Sequence, residues 1–454
     1  MMKIKRQRAA GLRAAGFALF LVGVLMLVPL AAFASGQRVR NTSLTTAERP
    51  EDAGLSSERL ARIDSIMKGY VDSESIAGAV VMIGRRGKIA YLESFGMADI
   101  EGNRPMRTDS MFRLASMSKA IVSLAVMMLY EEGHFLLNDP VSKYIPEFAE
   151  MQVIVPEGDG YTLVPAEKPI TIRHLVTHTS GIVYSFFGHP HITEIYLQAG
   201  INDGLDQSDG TIGEMVKRLA GLPLLFQPGE AFGYGLNVDV LGYFVEVISG
   251  QALDRLLEER IFVPLEMQDI HFYVPQEKVS RMAAVYGPNP EGGLARWGDE
   301  AVTLGPLVFR ASLPYSSGSR SYFSGGGGLT STAGDYGRFL QMMLNGGELE
   351  GVRLIGRKTV ELMTSNHIEG LYADFARYWD GDKFGLGFAI RTERGVFDEL
   401  ESLGSYGWGG FYDTHFWIDP SEDMFGILML QLFPANHLTI RRKFRIAVNQ
   451  AIID

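Results

Sequence analysis

The chain has 454 residues, a net charge of -11, 46% hydrophobic residues and no cysteine. Its 21% charged residues and mean hydropathy of +0.05 exclude intrinsic disorder and a polytopic membrane protein, because apolar side chains suffice for a core without continuous greasy spans. The missing thiols exclude disulfides, thiolate metal sites, iron-sulfur clusters and a cysteine nucleophile, so a nucleophile must be oxygen or nitrogen.

At the N-terminus, Lys3, Lys5, Arg6, Arg8 and Arg13 precede an apolar run over 16–30, and Ala32-Phe33-Ala34 gives a small-x-small cleavage pattern before Ser35. Residues 1–34 therefore predict a secretory signal peptide and a periplasmic or secreted protein. The alternative is an uncleaved inner-membrane anchor, since the stretch 14–34 approaches the roughly 20 residues that span a bilayer. Without this segment 37 basic residues face 53 acidic ones, a net charge of -16. Such a chain is a poor match for nucleic acid or for anionic membrane surfaces.

No linker or internal repeat divides residues 35–454, which predict a single two-lobed domain. Residues 53–71 form an amphipathic helix with Ser56 or Ser57 at its start and Leu60, Ile63, Met67 and Val71 on one face. Strands follow at 79–84 and 88–95, joined by Arg85-Arg86-Gly87 in a hairpin. The middle, about 116–304, reads as helix and loop, and Tyr286-Gly287-Pro288-Asn289 within it reads as loop. Strand patterns return at 386–391, 415–418 and 425–432, before a helix over 438–453. Strands at both ends around a helical middle predict an antiparallel sheet flanked by helices, of α+β type, with an inserted all-helical lobe. The groove between the lobes is the expected site.

Two Ser-x-x-Lys tetrads occur, as chance alone would supply in a chain of this length (about two at ordinary residue frequencies). In a helix the spacing puts amine and hydroxyl on one face, where the amine can take the serine proton. Ser65 and Lys68 lie off the apolar stripe of their helix and read as a solvated face. Ser116 and Lys119 open a run, 120–130, that is apolar on almost every side. Ser116 thus falls at the N-terminus of a buried helix, where backbone N–H groups suit a developing oxyanion. A lysine one turn further in must be partnered or deprotonated. Tyr234 follows the Pro228-Gly229 turn just before a helix over 238–249, and becomes a base candidate only in partnership with Ser116 and Lys119. Trp408-Gly409-Gly410 precedes the strand at 415–418, its glycines allowing close backbone approach to a substrate.

Other patterns read as structural. The glycines over 325–328 lack the following Lys-Ser/Thr of a phosphate loop, and Ser331 or Thr332 with Asp335 caps a helix instead. His174 and His178 lack the His-Glu-x-x-His context of a metal site. Phe186, Phe187, Tyr315, Tyr322 and Trp379 read as core packing before acyl-pocket lining. No metal or other cofactor is expected.

The motifs around Ser116-Met117-Ser118-Lys119, Ile170 to Gly181, Pro228 to Gly250, Gly326 to Arg338 and Trp408-Gly409-Gly410 occur in this order. Together they resemble the serine β-lactamase and penicillin-binding-protein superfamily, nearest its class C-like branch and the family VIII carboxylesterases. The resemblance covers about Leu55 to Ile453 and implies a β-lactamase/transpeptidase-like fold. It implies Ser116 as nucleophile, Lys119 as its activating lysine, Tyr234 as the motif tyrosine, and the backbone N–H groups of Ser116 and Phe411 as oxyanion hole. Leu236 stands where the family's Tyr-x-Asn has asparagine, with Asn237 one residue later. Trp408-Gly409-Gly410 replaces Lys-Thr-Gly. Trp408, Gly409, Gly410, Leu236 and Asn237 are accordingly the expected substrate-binding residues. Trp408 cannot pair with a substrate carboxylate as lysine does and offers an apolar face. The implied activity is a serine hydrolase acting on small neutral esters, a carboxylesterase. The alternatives are a β-lactamase or D-amino-acid peptidase of the same fold, and a non-catalytic cell-wall or ligand-binding module. The expected partner is a small-molecule ester or lactam, with no nucleic acid, and with a membrane only if residues 1–34 are retained. The general base, Lys119 or Tyr234, and the oligomeric state are left open.

Overall fold

A computed structural model describes residues 43–454 apart from 202, 205–209, 299, 301, 305–306, 310–319, 372–381 and 394–399. The N-terminal segment, Tyr315 and Trp379 lie outside the described residues. Residues 40–454 form one compact unit.

The second strand, buried along its whole length, organises that unit. Strand β1 is Thr45–Thr46, β2 is Gly78–Arg85, β3 is Lys88–Asp99, β4 is Asp382–Phe384, β5 is Ala389–Arg391, β6 is Tyr406–Gly409, β7 is His415–Asp419 and β8 is Met424–Met429. They order as β1-β3-β2-β8-β7-β6-β5-β4, with Arg104–Pro105 added on β3. All main-sheet pairings are antiparallel except β1 with β3. N-terminal strands thus pair with C-terminal ones through β2 and β8.

Both faces of β2 are covered, so alternate side chains enter different cores. Ala79, Val81 and Ile83 pack with Leu60, Ile63 and Met67 of helix α1 (Ser57–Asp72) and with Phe444 and Val448 of the C-terminal helix Ile440–Asn449. Val80 and Met82 enter the larger core, shared with helix α2 (Ser118–Glu131), helix α3 (Asn237–Ser249) and helix α4 (Ala333–Leu344). We label the C-terminal helix α5. Ser56 caps α1, accepting from Arg59 N, and Ser65 and Lys68 are exposed. Every residue of α2 from Ser118 to Leu129 is buried, as its all-round apolar pattern requires. Thr332 caps α4 by accepting from Asp335 N at 3.2 Å.

The inserted lobe is less purely helical than its composition suggests. Gln152–Glu157 and Gly160–Pro165 form an antiparallel ribbon. Tyr286–Pro288 is not a loop but pairs with Leu294–Arg296, because Tyr286 is buried and its hydroxyl accepts from Ile100 N and donates to Glu101. Proline at the end of so short a strand is tolerated.

Candidate active site

The nucleophile candidate sits on a turn fixed from three directions. Phe112–Arg113 pairs with Thr330–Ser331, Leu114 N donates to Leu329 O, and Leu329 N donates back to Ser118 Oγ. The Tyr336 hydroxyl of α4 donates to Met117 O. Between these ties Ala115–Met117 forms a 3-10 turn leading into α2, and Ala115 holds a left-handed φ of 45°. A non-glycine residue there carries strain on the order of 1–3 kcal/mol, and it lies next to Ser116.

From α2, Lys119 reaches back one turn. Its Nζ lies 3.2 Å from Ser116 Oγ, 2.9 Å from Tyr184 Oη and 2.6 Å from Gly326 O. Burial drives its pKa down to about 7, with the carboxylate of Asp239 opposing the shift. A neutral amine has two hydrogens and one lone pair. The Gly326 carbonyl can only accept, and Tyr184 Oη is placed to accept the second hydrogen. The lone pair is then left facing the Ser116 hydroxyl.

Two laced segments bring the tyrosines together. Gly229 N donates to Thr179 O and Gly233 N to His178 O, and a Cβ on Gly235 would fall 2.3 Å from Val183 Cα. This close approach sets the Tyr184 and Tyr234 rings 5.5 Å apart and puts the Tyr234 ring 4.7 Å from Lys119 Nζ. Tyr234 Oη hydrogen-bonds with Ser116 and accepts from Trp408 Nε1 at 3.0 Å. Burial holds the phenol above its ordinary pKa although both contacts favour the phenolate.

Asp239, one turn into α3, is fully buried. Its Oδ1 accepts from Ser324 Oγ at 2.6 Å and from Gly326 N at 3.2 Å, while Oδ2 has no hydrogen-bond partner among the described residues. Gly326 therefore binds the amine with its carbonyl and the carboxylate with its N–H. A Cβ there would come 2.3 Å from Asp239 Oδ2 and 3.1 Å from Tyr184 Oη, so only glycine fits.

The turn after β6 closes the site. Gly410 N donates to Thr414 O, Asp413 N donates to Gly410 O, and Thr414 Oγ1 donates to Leu114 O. A Cβ on Gly410 would lie 2.2 Å from Leu114 O, so this glycine lets the turn press against the backbone two residues before Ser116. Phe411 follows, its ring stacked on Phe433 at 3.7 Å between centroids.

The Beta-lactamase family model matches residues 63–450. The chain belongs to the beta-lactamase family. It is 32% identical over 375 residues to Esterase EstB of Burkholderia gladioli, covering 79% of this chain and 87% of that protein. It is 28% identical to the monacolin J acid methylbutanoyltransferase of Aspergillus terreus, over 85% of this chain and 94% of that one. Among solved structures it is similar to EstCE1, described as a hydrolase with promiscuous acyltransferase activity, at 27% identity and a TM-score of 0.72, over 87% of this chain and 99% of that chain.

Within this beta-lactamase-family site the structure brings Ser116, Lys119, Tyr234 and Trp408 together and revises the surrounding expectations. Asn237 is not available to substrate: it is buried, and its amide engages Ser180 Oγ at 2.5 Å, Ile182 O at 2.9 Å and His178 Nδ1 at 3.1 Å. Leu236 is wholly buried at the start of α3. Trp408 is only 4% exposed, packed on Phe384 and Tyr234, so its indole serves Tyr234 rather than offering a face to solvent. Gly409 points to the α5 side, where a Cβ would meet Arg441 Nη1 at 2.9 Å. Phe187 is exposed with its ring 6.3 Å from that of Tyr234, Phe186 is partly buried against the main core and stacked on Tyr184, and Tyr322 is core. Tyr184, Gly326 and Asp239 were not singled out by sequence as site residues. The signals for Gly326 were its place among four consecutive glycines and at the start of the Gly326 to Arg338 motif. Replacing Asn237 by alanine strands the buried partners of its amide, each lost bond costing roughly 1–3 kcal/mol. Denaturant unfolding of Asn237→Ala should show stability falling by at least about 2 kcal/mol; an unchanged midpoint would contradict the structural role.

Proposed function

We propose that this serine hydrolase is a carboxylesterase that works through an acyl-Ser116 intermediate. The observation that carries the reading is the closed chain Trp408 Nε1, Tyr234 Oη, Ser116 Oγ and Lys119 Nζ. Lys119 is the base in this proposal. A pKa near 7 leaves much of the amine neutral at ordinary pH, whereas the Tyr234 phenol keeps its proton. Indole is donor-only, so Tyr234 accepts from Trp408 and points its own O–H at Ser116.

Lys119 takes the Ser116 proton as Oγ attacks the ester carbonyl, and the backbone N–H groups of Ser116 and Phe411 hold the oxyanion. The departing alkoxide takes the Tyr234 proton, the transient phenolate being stabilised by Trp408 Nε1–H and the new ammonium. Lys119 then returns its proton to Tyr234. Water enters where the alcohol left and gives its proton to Lys119 through Tyr234; Ser116 Oγ recovers that proton on release of the acid.

The indole in place of a cation favours neutral esters over the carboxylate-bearing lactams and peptides. Residues 1–34 support export as part of the proposal: secreted protein should begin at Ser35 by intact mass, and an uncleaved chain would make the segment an anchor.

Short p-nitrophenyl esters should be hydrolysed at least about 10³-fold faster by the wild type than by Ser116→Ala, the scale of loss expected for a nucleophile. Equal inertness of the two, or nitrocefin turnover rivalling ester turnover, would overturn the ester reading. Because only neutral Lys119 accepts the proton, kcat/KM should rise with pH through about 7. Asp239 raises the Lys119 pKa, so Asp239→Asn should move that limb to lower pH; an unmoved or upward-shifted limb would remove Asp239 from the account.

A further inference from the structure

The β6–β7 turn is held from the α5 side by one cation. Asp413 N donates to Gly410 O at 3.1 Å, which closes a four-residue turn over 410–413 with Phe411 in its second position. Asp413 takes a left-handed φ of 67° to do so, a conformation that aspartate and asparagine tolerate better than most residues. Its side chain is buried, where a charge without a partner is costly. Arg441, from the first turn of α5, supplies the partner: its Nε lies 2.5 Å from Asp413 Oδ1, and its Nη2 donates to Gly410 O at 3.4 Å. With Nη1 beside Gly409, one guanidinium touches Gly409, Gly410 and Asp413.

Helix stability does not explain this arginine. The first turn of α5 holds no acidic residue, and the positive end of the helix dipole disfavours a cation there. Ile440 and Phe444, buried on α5 on either side of Arg441 in sequence, give the side chain a fixed support from which it meets the turn.

The contact at Gly410 O acts through the peptide to which that oxygen belongs. The carbonyl of Gly410 and the N–H of Phe411 are opposite ends of one planar trans unit and point in opposite directions. Holding the oxygen toward α5 therefore aims the N–H away from α5. The turn that carries this N–H is seated on the backbone just before Ser116, since Thr414 Oγ1 donates to Leu114 O. A cation at the carbonyl oxygen also polarises the amide and strengthens its N–H as a donor.

We propose that Arg441 is a positioning residue for the oxyanion hole, acting through the Gly410–Phe411 peptide, with Asp413 seating its guanidinium. The role rests on the carboxylesterase reading, which supplies the oxyanion.

The test compares the full-length wild type with Arg441→Gln and Asp413→Asn. Glutamine removes the charge, and asparagine keeps the tolerance for left-handed backbone. On a short p-nitrophenyl ester each variant should lose about tenfold in kcat, less than deletion of a hole donor costs, with KM within about twofold of wild type. The rising pH limb should stay near 7; a displaced limb would assign the loss to Lys119 and overturn the proposal. The second readout is inhibition by phenethyl trifluoromethyl ketone. Ser116 Oγ adds to the ketone carbonyl, the Oγ proton passes to Lys119, and the former carbonyl oxygen enters the hole as an oxyanion. Its Ki should rise by the factor by which kcat/KM falls. Partial unfolding gives no such parallel, because losing active molecules lowers kcat and leaves Ki as it was. A kcat for Arg441→Gln within about threefold of wild type, or an unchanged Ki, would overturn the role; if Arg441→Gln does not fold, Asp413→Asn decides by the same readings. If the wild type turns over no ester, the carboxylesterase reading fails on its own. The clamp is then judged by amide hydrogen exchange: about tenfold faster exchange over 410–414 in the variant, with β3 unchanged, sustains it, and equal exchange overturns it.

Discussion

An ammonium group enclosed by an apolar helix is costly, because water that would solvate the charge is replaced by hydrocarbon. Lys119 occupies such a position: α2 is buried from Ser118 to Leu129. The cost is relieved in two ways at once. Desolvation brings the amine toward its neutral form, and Asp239, buried on α3, supplies a compensating charge whenever the proton is present. A base poised between these states near neutral pH is what acylation of a serine requires. The burial that makes α2 a core helix is therefore the same burial that tunes its first turn for chemistry.

The remaining architecture can be understood as holding partners to that amine. The short pairing of Phe112–Arg113 with Thr330–Ser331 carries the glycine turn to Lys119. Gly326 then couples amine to carboxylate through its own backbone. The lacing of residues 178–183 with 229–235 delivers Tyr184 on one side and Tyr234 on the other. The pairing of β2 with β8 joins the two ends of the chain and so fixes β6 and its turn against Leu114. Strain at Ala115 survives because so many ties converge around it.

Much of this was legible in sequence because it is local. Ser116-x-x-Lys119 was distinguishable from Ser65-x-x-Lys68 by the periodicity around each, and the structure puts the first in the core and the second on an exposed face. Five strands of the sheet, β2, β3, β5, β7 and β8, read correctly in kind, though the 386–391 strand spans only Ala389–Arg391; β1, β4 and β6 were not read as strands, being short and, in β6, glycine-rich. The missing parts depend on contacts between distant segments. Nothing local marks Tyr184 or Asp239, whose roles follow from a lysine 65 positions from the first and a glycine 87 from the second. Trp408 was recognised, but its orientation was not: period 2 on β6 turns the indole inward to Tyr234. The ribbon of residues 152–165 escaped notice because its outer positions are exposed and it contributes few apolar residues to a core.

The central claim is that a neutral Lys119 activates Ser116. Its most direct measurement is the rate at which a fluorophosphonate labels the full-length protein between pH 5 and 9, with the modified residue located by peptide mass spectrometry. The account predicts a single adduct on Ser116 forming faster as pH rises, with a midpoint near 7. A rate independent of pH across that range, or an adduct on any residue other than Ser116, would contradict it.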